Sequence, residues 1–387
     1  MTISIQPVIV AENNPVAFHI SGLTPGQDYQ LKLLVVAESG TRYESMASAS
    51  DSGQVAWQLE AGWSGEALID LIPSAGDRAA ATLHVFAIPA ELARRIPLRV
   101  DFHIHTRYSD GHSTPAEMVI RGRELGLDAL AITDHNRFDP SLEGIKAAHD
   151  LGLGLMCFTG EEITAYDWHL LSINATADVQ PEDTGETGLV NALARVHALG
   201  GKAYLAHPYW IGSRQRNMPS ADYDRLLAEG GLDGIELLGD VAWEENLLSI
   251  TRYHDLPLEE RPPILGNSDT HWAKHTFGGY WTLVFAQTQD QAGVLDAIAD
   301  HHAVACARLL AGPAARQPQD EILAFGPFKQ VELALFLERY VFPEHDRLCR
   351  LEAGLAWRRL AGEDLPPAAV RQAAEEVKTC MRRCFGD

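Results

Sequence analysis

Along the first 96 residues, apolar and polar positions alternate in short runs, each closed by a turn signal. The runs are SIQPVIV, VAFHI, YQLKLLVV, QVAWQLE, ALIDLI and ATLHVFAI, separated by SGLTPGQ, AESGT, SDSGQ and PSAGD. Alternation of period two buries one face of a strand, and Gly, Pro, Ser and Asp supply the turns between strands. This spacing predicts an antiparallel β-sandwich over residues 1–96. From Leu98 to about Ala307 the rhythm changes. The apolar runs LRVDFHI, DALAIT, LGLMCFT, KAYLAH, DGIELL, PPILGN and WTLVF now alternate with longer segments of helical period. Two helix starts are marked: Thr114-Pro115-Ala116-Glu117 reads as a capping box, and Asp139-Pro140 as an N-cap followed by Pro. Seven strands, each followed by a crossover, predict a parallel sheet closed into an α/β barrel over residues 97–310. Residues 311–387 repeat apolar positions at three- and four-residue spacing and predict a helical extension bracing the barrel or a subunit contact.

Composition narrows the function. The chain has 387 residues, 46% hydrophobic and 22% charged, which excludes a disordered, collagenous or coiled-coil protein. Its net charge of −22 argues against indiscriminate binding to nucleic acid or anionic membranes. No run approaches the ~18 apolar residues that span a bilayer, and MTISIQPVIVAENN lacks the basic start and apolar core of a secretory signal. The five cysteines (Cys157, Cys306, Cys349, Cys380 and Cys384) are scattered and read as reduced thiols, so a cytoplasmic protein is expected.

The chemistry gathers at strand ends. In Asp101-Phe102-His103-Ile104-His105 the two histidines are two residues apart, so both imidazoles face one side of the strand. The next loop carries Asp110, and the following strands end in Asp134-His135, Glu161-Glu162 with His169 beyond, His207-Pro208, and Asp269-Thr270-His271. Polar groups buried for packing alone would each suffer desolvation. Shared metal ions remove that cost, so the recurrence points to a metal site at the barrel mouth. A mixed His and carboxylate set suits Zn, Mn or Fe. The remaining histidines lack this placement; His275, just past the last candidates, is the exception.

The motifs HxHTxxSDG, ITDHN, GxEIT, AHP and GNSDTH, in this order, resemble those of the PHP (polymerase and histidinol phosphatase) metallo-hydrolases over about Leu98–Phe285. The resemblance implies a distorted (β/α)7, TIM-like barrel holding two or three divalent metal ions. Its ligands would be His103, His105, Asp110, His135, Glu162, His169, His207, Asp269 and His271. Glu162 rather than Glu161 matches the bridging carboxylate, because it precedes Ile163-Thr164; Glu161 would be an extra carboxylate near the site. Gly22-Leu23-Thr24-Pro25-Gly26 with Tyr29-Gln30-Leu31 resembles a fibronectin type III turn and strand. The upstream fibronectin III/Ig-like region and the His after the Glu motif are similar to the carbaryl-hydrolase-like branch.

Two ions a few ångströms apart can share a hydroxide and polarise the bond it attacks. By analogy with other binuclear hydrolases, Asp269 is expected to orient that hydroxide and accept its proton, with Arg107 and His271 completing the catalytic set. Arg107, Arg137, Arg214, Arg216 and Lys274 occupy strand-end loops where they would neutralise an anionic substrate. The expected function is therefore phosphoester hydrolysis of a small anionic molecule, without a membrane or nucleic-acid partner, in a chain compatible with homo-oligomers. An ester, amide or carbamate hydrolase is the rival, with Tyr166, Trp168, Tyr209, Trp210, Trp272 and Tyr280 as an apolar pocket. A non-catalytic metal-binding scaffold is the alternative of another class.

Overall fold

In the computed structural model, residues 3–210, 225–226, 231–274, 277–309 and 321–385 are described. The chain divides into two compact units. The first comprises Met1–Arg95, Phe328–His345 and Glu376–Asp387; the second comprises Ile96–Pro327 and Asp346–Glu375. The C-terminal helices are thus shared between the units rather than forming a separate extension.

In the first unit, the strands Ser4–Gln6, Pro15–Ser21 and Gln54–Glu60 form one sheet. A second runs in the order Ile9–Ala11, Ala81–Ile88, Gly65–Pro73, Asp28–Val35 and Tyr43–Ser48. Period-two burial is clearest in Asp28–Val35, where Tyr29, Leu31, Leu33 and Val35 are buried and the intervening residues are less so. Both sheets feed one apolar cluster, with Phe18, Ile20 and Trp57 from the first and Leu31, Ile69 and Val85 from the second. Pairing is antiparallel except between Ile9–Ala11 and Ala81–Ile88, which run parallel. The helix Phe328–Tyr340 adds Phe336 against Phe86 and Tyr340 against His84.

The second unit departs from a ring of parallel strands. Its strands form two mixed sheets, one ordered Met156–Phe158, Ala129–Ala131, Ile96–Asp101, Tyr280–Ala286, Ala303–Leu309 and Glu321–Phe325. The other runs Gly160–Thr164, His169–Ile173, Lys202–Leu205, Gly234–Leu238 and Ile264–Gly266. The α/β repeat holds for Ile96–Asp101, Ala129–Ala131 and Met156–Phe158, which pair in parallel. It fails where Gly160–Thr164 turns back on His169–Ile173 as an antiparallel hairpin, and where Tyr280–Ala286 runs antiparallel to Ile96–Asp101. A short apolar run does not disclose its strand direction, which is why the alternation alone suggested a uniform barrel.

Local signals are met unevenly. Thr114 caps the helix Pro115–Glu124 as a full capping box. The helix Asp139–Leu151, by contrast, already includes Asp139; Phe138 holds the cap position, and the Ser141 hydroxyl donates to its carbonyl at 2.7 Å. The second unit's C-terminal helical residues pack Ala353, Ala356 and Val370 against Ile120 and Leu151. Buried ion pairs accompany that packing: Arg123 with Glu352 at 2.9 Å and with Asp128 at 3.0 Å, and Arg99 with Asp346 at 2.5 Å. Removing one partner would strand a buried charge, so these pairs fix how the helices dock. No helix among the described residues is long and apolar enough to cross a membrane.

Candidate metal centre

The His-x-His segment continues the extended path beyond the strand Ile96–Asp101. Phe102 and Ile104 are fully buried, and the intervening His103 and His105 take the opposite side. The His105 N–H donates to the Thr270 carbonyl at 2.9 Å, and Ile104 bridges Thr270, so the first and last motifs are laced together by backbone. The loop that follows folds back tightly. A Cβ on Gly111 would lie 2.7 Å from the His105 carbonyl carbon, so glycine is required for that approach. The buried Asp134 clamps the same loop by accepting from the Thr106 N–H (2.8 Å), the Thr106 hydroxyl (2.7 Å) and the Ser109 hydroxyl (2.6 Å).

The antiparallel hairpin explains two further residues. Glu162 pairs with Leu171, and His169 sits two residues earlier on the facing strand. Such diagonal neighbours share one face, and His169 Nδ1 lies 2.8 Å from Glu162 Oε1. Asn136 joins the hairpin to the second motif, its side chain bonding both the N–H and the carbonyl of Thr164. Asn136 and Asp269 have positive φ values of 50° and 45°. That conformation is costly for a residue with a side chain and is typical of functional loops.

All nine expected ligands come together. Glu162 is the hub: its carboxylate lies 3.3 Å from His103 Nε2, 3.4 Å from His105 Nε2, 2.7 Å from His135 Nδ1 and 3.1 Å from His207 Nε2. Asp269 Oδ1 lies 3.1 Å from His105 Nε2 and 3.3 Å from His103 Nε2. Asp110 meets His271 Nε2 at 3.2 Å and His135 Nε2 at 3.5 Å. Four overlapping groups have donor atoms close enough to share an ion: His105–Asp110–His135–His271, His103–His207–Asp269, His103–His105–Glu162 and His135–Glu162–His169. His103, His105 and Glu162 are fully buried, whereas His135, His271 and Asp110 are increasingly open to solvent. The cluster therefore runs from a closed floor to an accessible rim.

Electrostatics follow from this crowding. Burial alone would raise the Glu162 carboxyl, but His103, His169 and His135 pull it well below the ordinary value. Asp269 behaves likewise: burial is outweighed by His103, His105 and His207. Burial opposes a proton on His135, yet Glu162 and Asp110 push it up to about 10. Divalent cations would satisfy the same carboxylates in place of protonated imidazoles. Several buried atoms nevertheless make no well-aligned hydrogen bond, although all but His169 Nε2 lie within ion-pair range of one another or of Asp269 or His135: Nε2 of His103, His105 and His169, and Oε2 of Glu162. Buried polar atoms are ordinarily paired, and imidazole and carboxylate donors aimed at one another fit divalent ions.

Sequence reasoning missed the supports of this cluster. Glu236, in the otherwise apolar strand Gly234–Leu238, lies 2.8 Å from His103 Nδ1 and accepts from the His207 N–H and from Asn267 Nδ2, each at 2.8 Å. It fixes the His103 tautomer, leaving Nε2 to face the site. His271 is fixed similarly, with Nδ1 donating to the Asp269 carbonyl at 2.9 Å. Asp101, pushed up to about 7 by burial, accepts from the His103 and Ser268 N–H groups. A carboxylate within an apolar strand was the available signal for Glu236.

Other expectations are corrected. Glu161 does not join the cluster; strand alternation turns it to the other face, where Oε1 accepts from the Val179 N–H at 2.6 Å. Burial pushes its carboxyl up from 4.5 to about 8. The folded state therefore holds a proton that the unfolded state loses over this range, and wild-type stability falls as pH rises through it. Glu161→Gln, a mimic of the protonated form, is expected to gain stability relative to wild type across this window in denaturant titrations. A difference that does not change with pH would contradict this environment. Arg107 is exposed, its guanidinium 6.0 Å from the Tyr108 ring centre, with no bond to the clustered carboxylates among the described residues. Arg137 also lies over Tyr108, at 5.7 Å, and Lys274 is exposed. Arg214, Arg216 and His275 lie outside the described residues. Among the aromatics, Trp168 is core, and Tyr209 and Tyr280 pack on the same core cluster. Tyr166 and Trp272 are exposed, the latter against His112. Trp210 stands at the site, 5.8 Å from His169 and 5.3 Å from His207 between ring centres.

Residues 101–242 match the family model described as the PHP domain. An uncharacterized protein of Methanocaldococcus jannaschii is 26% identical over 127 residues, 29% of this chain and 68% of its own length. The phosphoribosyl 1,2-cyclic phosphate 1,2-diphosphodiesterase of Eggerthella lenta is 34% identical over 70 residues, 18% of this chain and 25% of its own length. The match therefore spans about two thirds of the first relative and only a quarter of the second. Among solved structures, a two-domain Bacteroides vulgatus protein, described as containing a predicted PHP-like metal-dependent phosphoesterase, is similar at 20% identity. That similarity covers 60% of this chain and 76% of the other, with a TM-score of 0.43.

Proposed function

Because residues 101–242 of this chain carry a PHP domain, we propose that the protein is a metal-dependent hydrolase, and within that class a phosphoesterase acting on a small anionic molecule. The reading rests on the buried imidazole and carboxylate atoms of His103, His105, His169 and Glu162, which make no well-aligned hydrogen bond and converge with Asp269 and His207 within sharing distance of an ion. Divalent ions such as Zn, Mn or Fe, two or three of them, would be held by the nine clustered residues and would lower the pKa of water and polarise the bond under attack.

The remaining work falls to the chain's own groups. Asp269 Oδ1, held ionised by its histidine neighbours, accepts a hydrogen bond from the attacking water and takes its proton. Glu236 keeps His103 in one tautomer, and the Asp269 carbonyl does the same for His271. Asp110, His135 and His271, at the open rim, face incoming substrate, with Arg107 and Arg137 exposed on either loop beside Tyr108. Those two cations, in a chain of net charge −22, favour an anionic substrate. The phosphodiester activity in the name of the Eggerthella lenta relative points the same way.

Trp210 beside His169 and His207 is the one observation that favours the rival ester, amide or carbamate reading, since an indole suits an aryl group. The full chain loaded with Mn or Zn is expected to hydrolyse p-nitrophenyl phosphate faster than an aryl carbamate. The reverse ranking would reject the phosphoesterase assignment and favour the rival.

A further inference from the structure

The first unit contains none of the clustered residues, yet it holds a cavity of about 580 Å³. That size suits a small ligand. Its walls come from the strands Ile9–Ala11 and Pro15–Ser21, the short helix Ala90–Ala93 and the last turn of the helix Pro367–Phe385. The Val8 N–H donates to the Cys384 carbonyl at 2.9 Å, tying the N-terminal segment to that last turn.

The charge of the lining is what singles it out. Acidic residues outnumber basic ones in this chain by 53 to 31, yet among the described residues no carboxylate side chain lines the cavity, whereas Arg94 and Arg383 both do. Among the described residues, neither guanidinium makes a hydrogen bond or an ion pair. Glu91, the acid nearest Arg94 in sequence, is engaged by Arg95 at 2.7 Å. Two arginines that no described carboxylate engages, in a strongly acidic chain, form a local positive field, and a guanidinium offers several fixed donors to an anion. Asn14 and His19 add polar groups to the wall, and Val16 and Phe385 add apolar surface.

The geometry points to a second ligand site, a pocket for a small organic anion. Its charged group is taken by Arg94 and Arg383, and its apolar body packs against Val16 and Phe385. The site is independent of the metal centre and of the proposed hydrolase activity.

Phenylphosphonate carries both an anion and a ring and has no ester bond to hydrolyse, so it serves as the probe. Calorimetric titration of the full, metal-loaded chain is expected to show a binding event that Arg94→Ala and Arg383→Ala each weaken by about tenfold. The same event persists in Asp269→Asn, which separates it from any binding at the metal centre. Both arginines are exposed, so their replacement leaves the fold intact. The absence of any arginine-dependent binding, or a single event that is lost in Asp269→Asn and retained in the arginine variants, would overturn the proposal.

Discussion

Glu162→Gln is expected to lower phosphoester turnover by about 10³-fold or more and to strip metal from the purified protein. No other carboxylate of the cluster reaches as many histidines: His103, His105, His135, His169 and His207 all lie within 3.4 Å of it. Glutamine has the same shape but no charge, and one of its two terminal atoms is a donor pointed at imidazole nitrogens. The local arrangement thus changes from attraction to mismatch without loss of volume. Because Glu162 is fully buried, solvent cannot make good the lost charge. Turnover and metal content should be measured on the same preparation. A glutamine variant that retains both would show that Glu162 is packed beside the site rather than at its centre.

The second large effect belongs to a residue that touches no candidate ion site directly. Glu236→Ala is expected to weaken metal affinity by about ten- to a hundredfold, as loss of a ligand-orienting carboxylate commonly does. The substitution leaves His103 Nδ1, the His207 N–H and Asn267 Nδ2 without their acceptor. His103 can then rotate or change tautomer, and Nε2 no longer faces Glu162 and Asp269 by default. Chelator competition reads the affinity, and excess metal should restore much of the activity because the ligands themselves remain. Glu236→Gln, whose amide oxygen can still accept from His103, should show a smaller loss. Unchanged affinity in the alanine variant would mean that backbone packing alone orients His103.

The legible part of this site was legible for a physical reason. Ligand-type residues in His103-x-His105, Asp134-His135, Glu162, His207 and Asp269-x-His271 each follow an apolar strand, and that placement leaves a trace in sequence. The supports leave less. Glu236 sits inside an apolar run where a single carboxylate is easily read as a solvated edge position, and Asp101 and Asp134 were seen only as neighbours of histidines. Direction was also hidden. His169-Leu-Leu-Ser-Ile followed the Glu motif as a short apolar segment, and only the structure reveals it as the returning arm of a hairpin. That hairpin is what brings His169 to Glu162. In the first unit, the alternating pattern anticipated the strands and their buried faces, but nothing in the pattern distinguished the parallel pairing of Ile9–Ala11 with Ala81–Ile88.

Arg107 shows what a strand-end position leaves open. Its position in a strand-end loop suggested a place in the catalytic set, but loop position does not fix side-chain direction: the guanidinium lies over Tyr108 at the exposed rim, away from the clustered carboxylates, where it can meet an anion only from the solvent side. Glu161 is similar: one residue from the hub in sequence, it faces away because strand side chains alternate.

The account stands on divalent ions gathering at the nine clustered residues. The most direct measurement is a crystal of the full chain grown with manganese, with anomalous scattering recorded at its absorption edge. Two or three peaks are expected, each within coordination distance of a group that includes Glu162, Asp269 or Asp110. A map with peaks only elsewhere on the surface, or with none despite saturating metal, would contradict it.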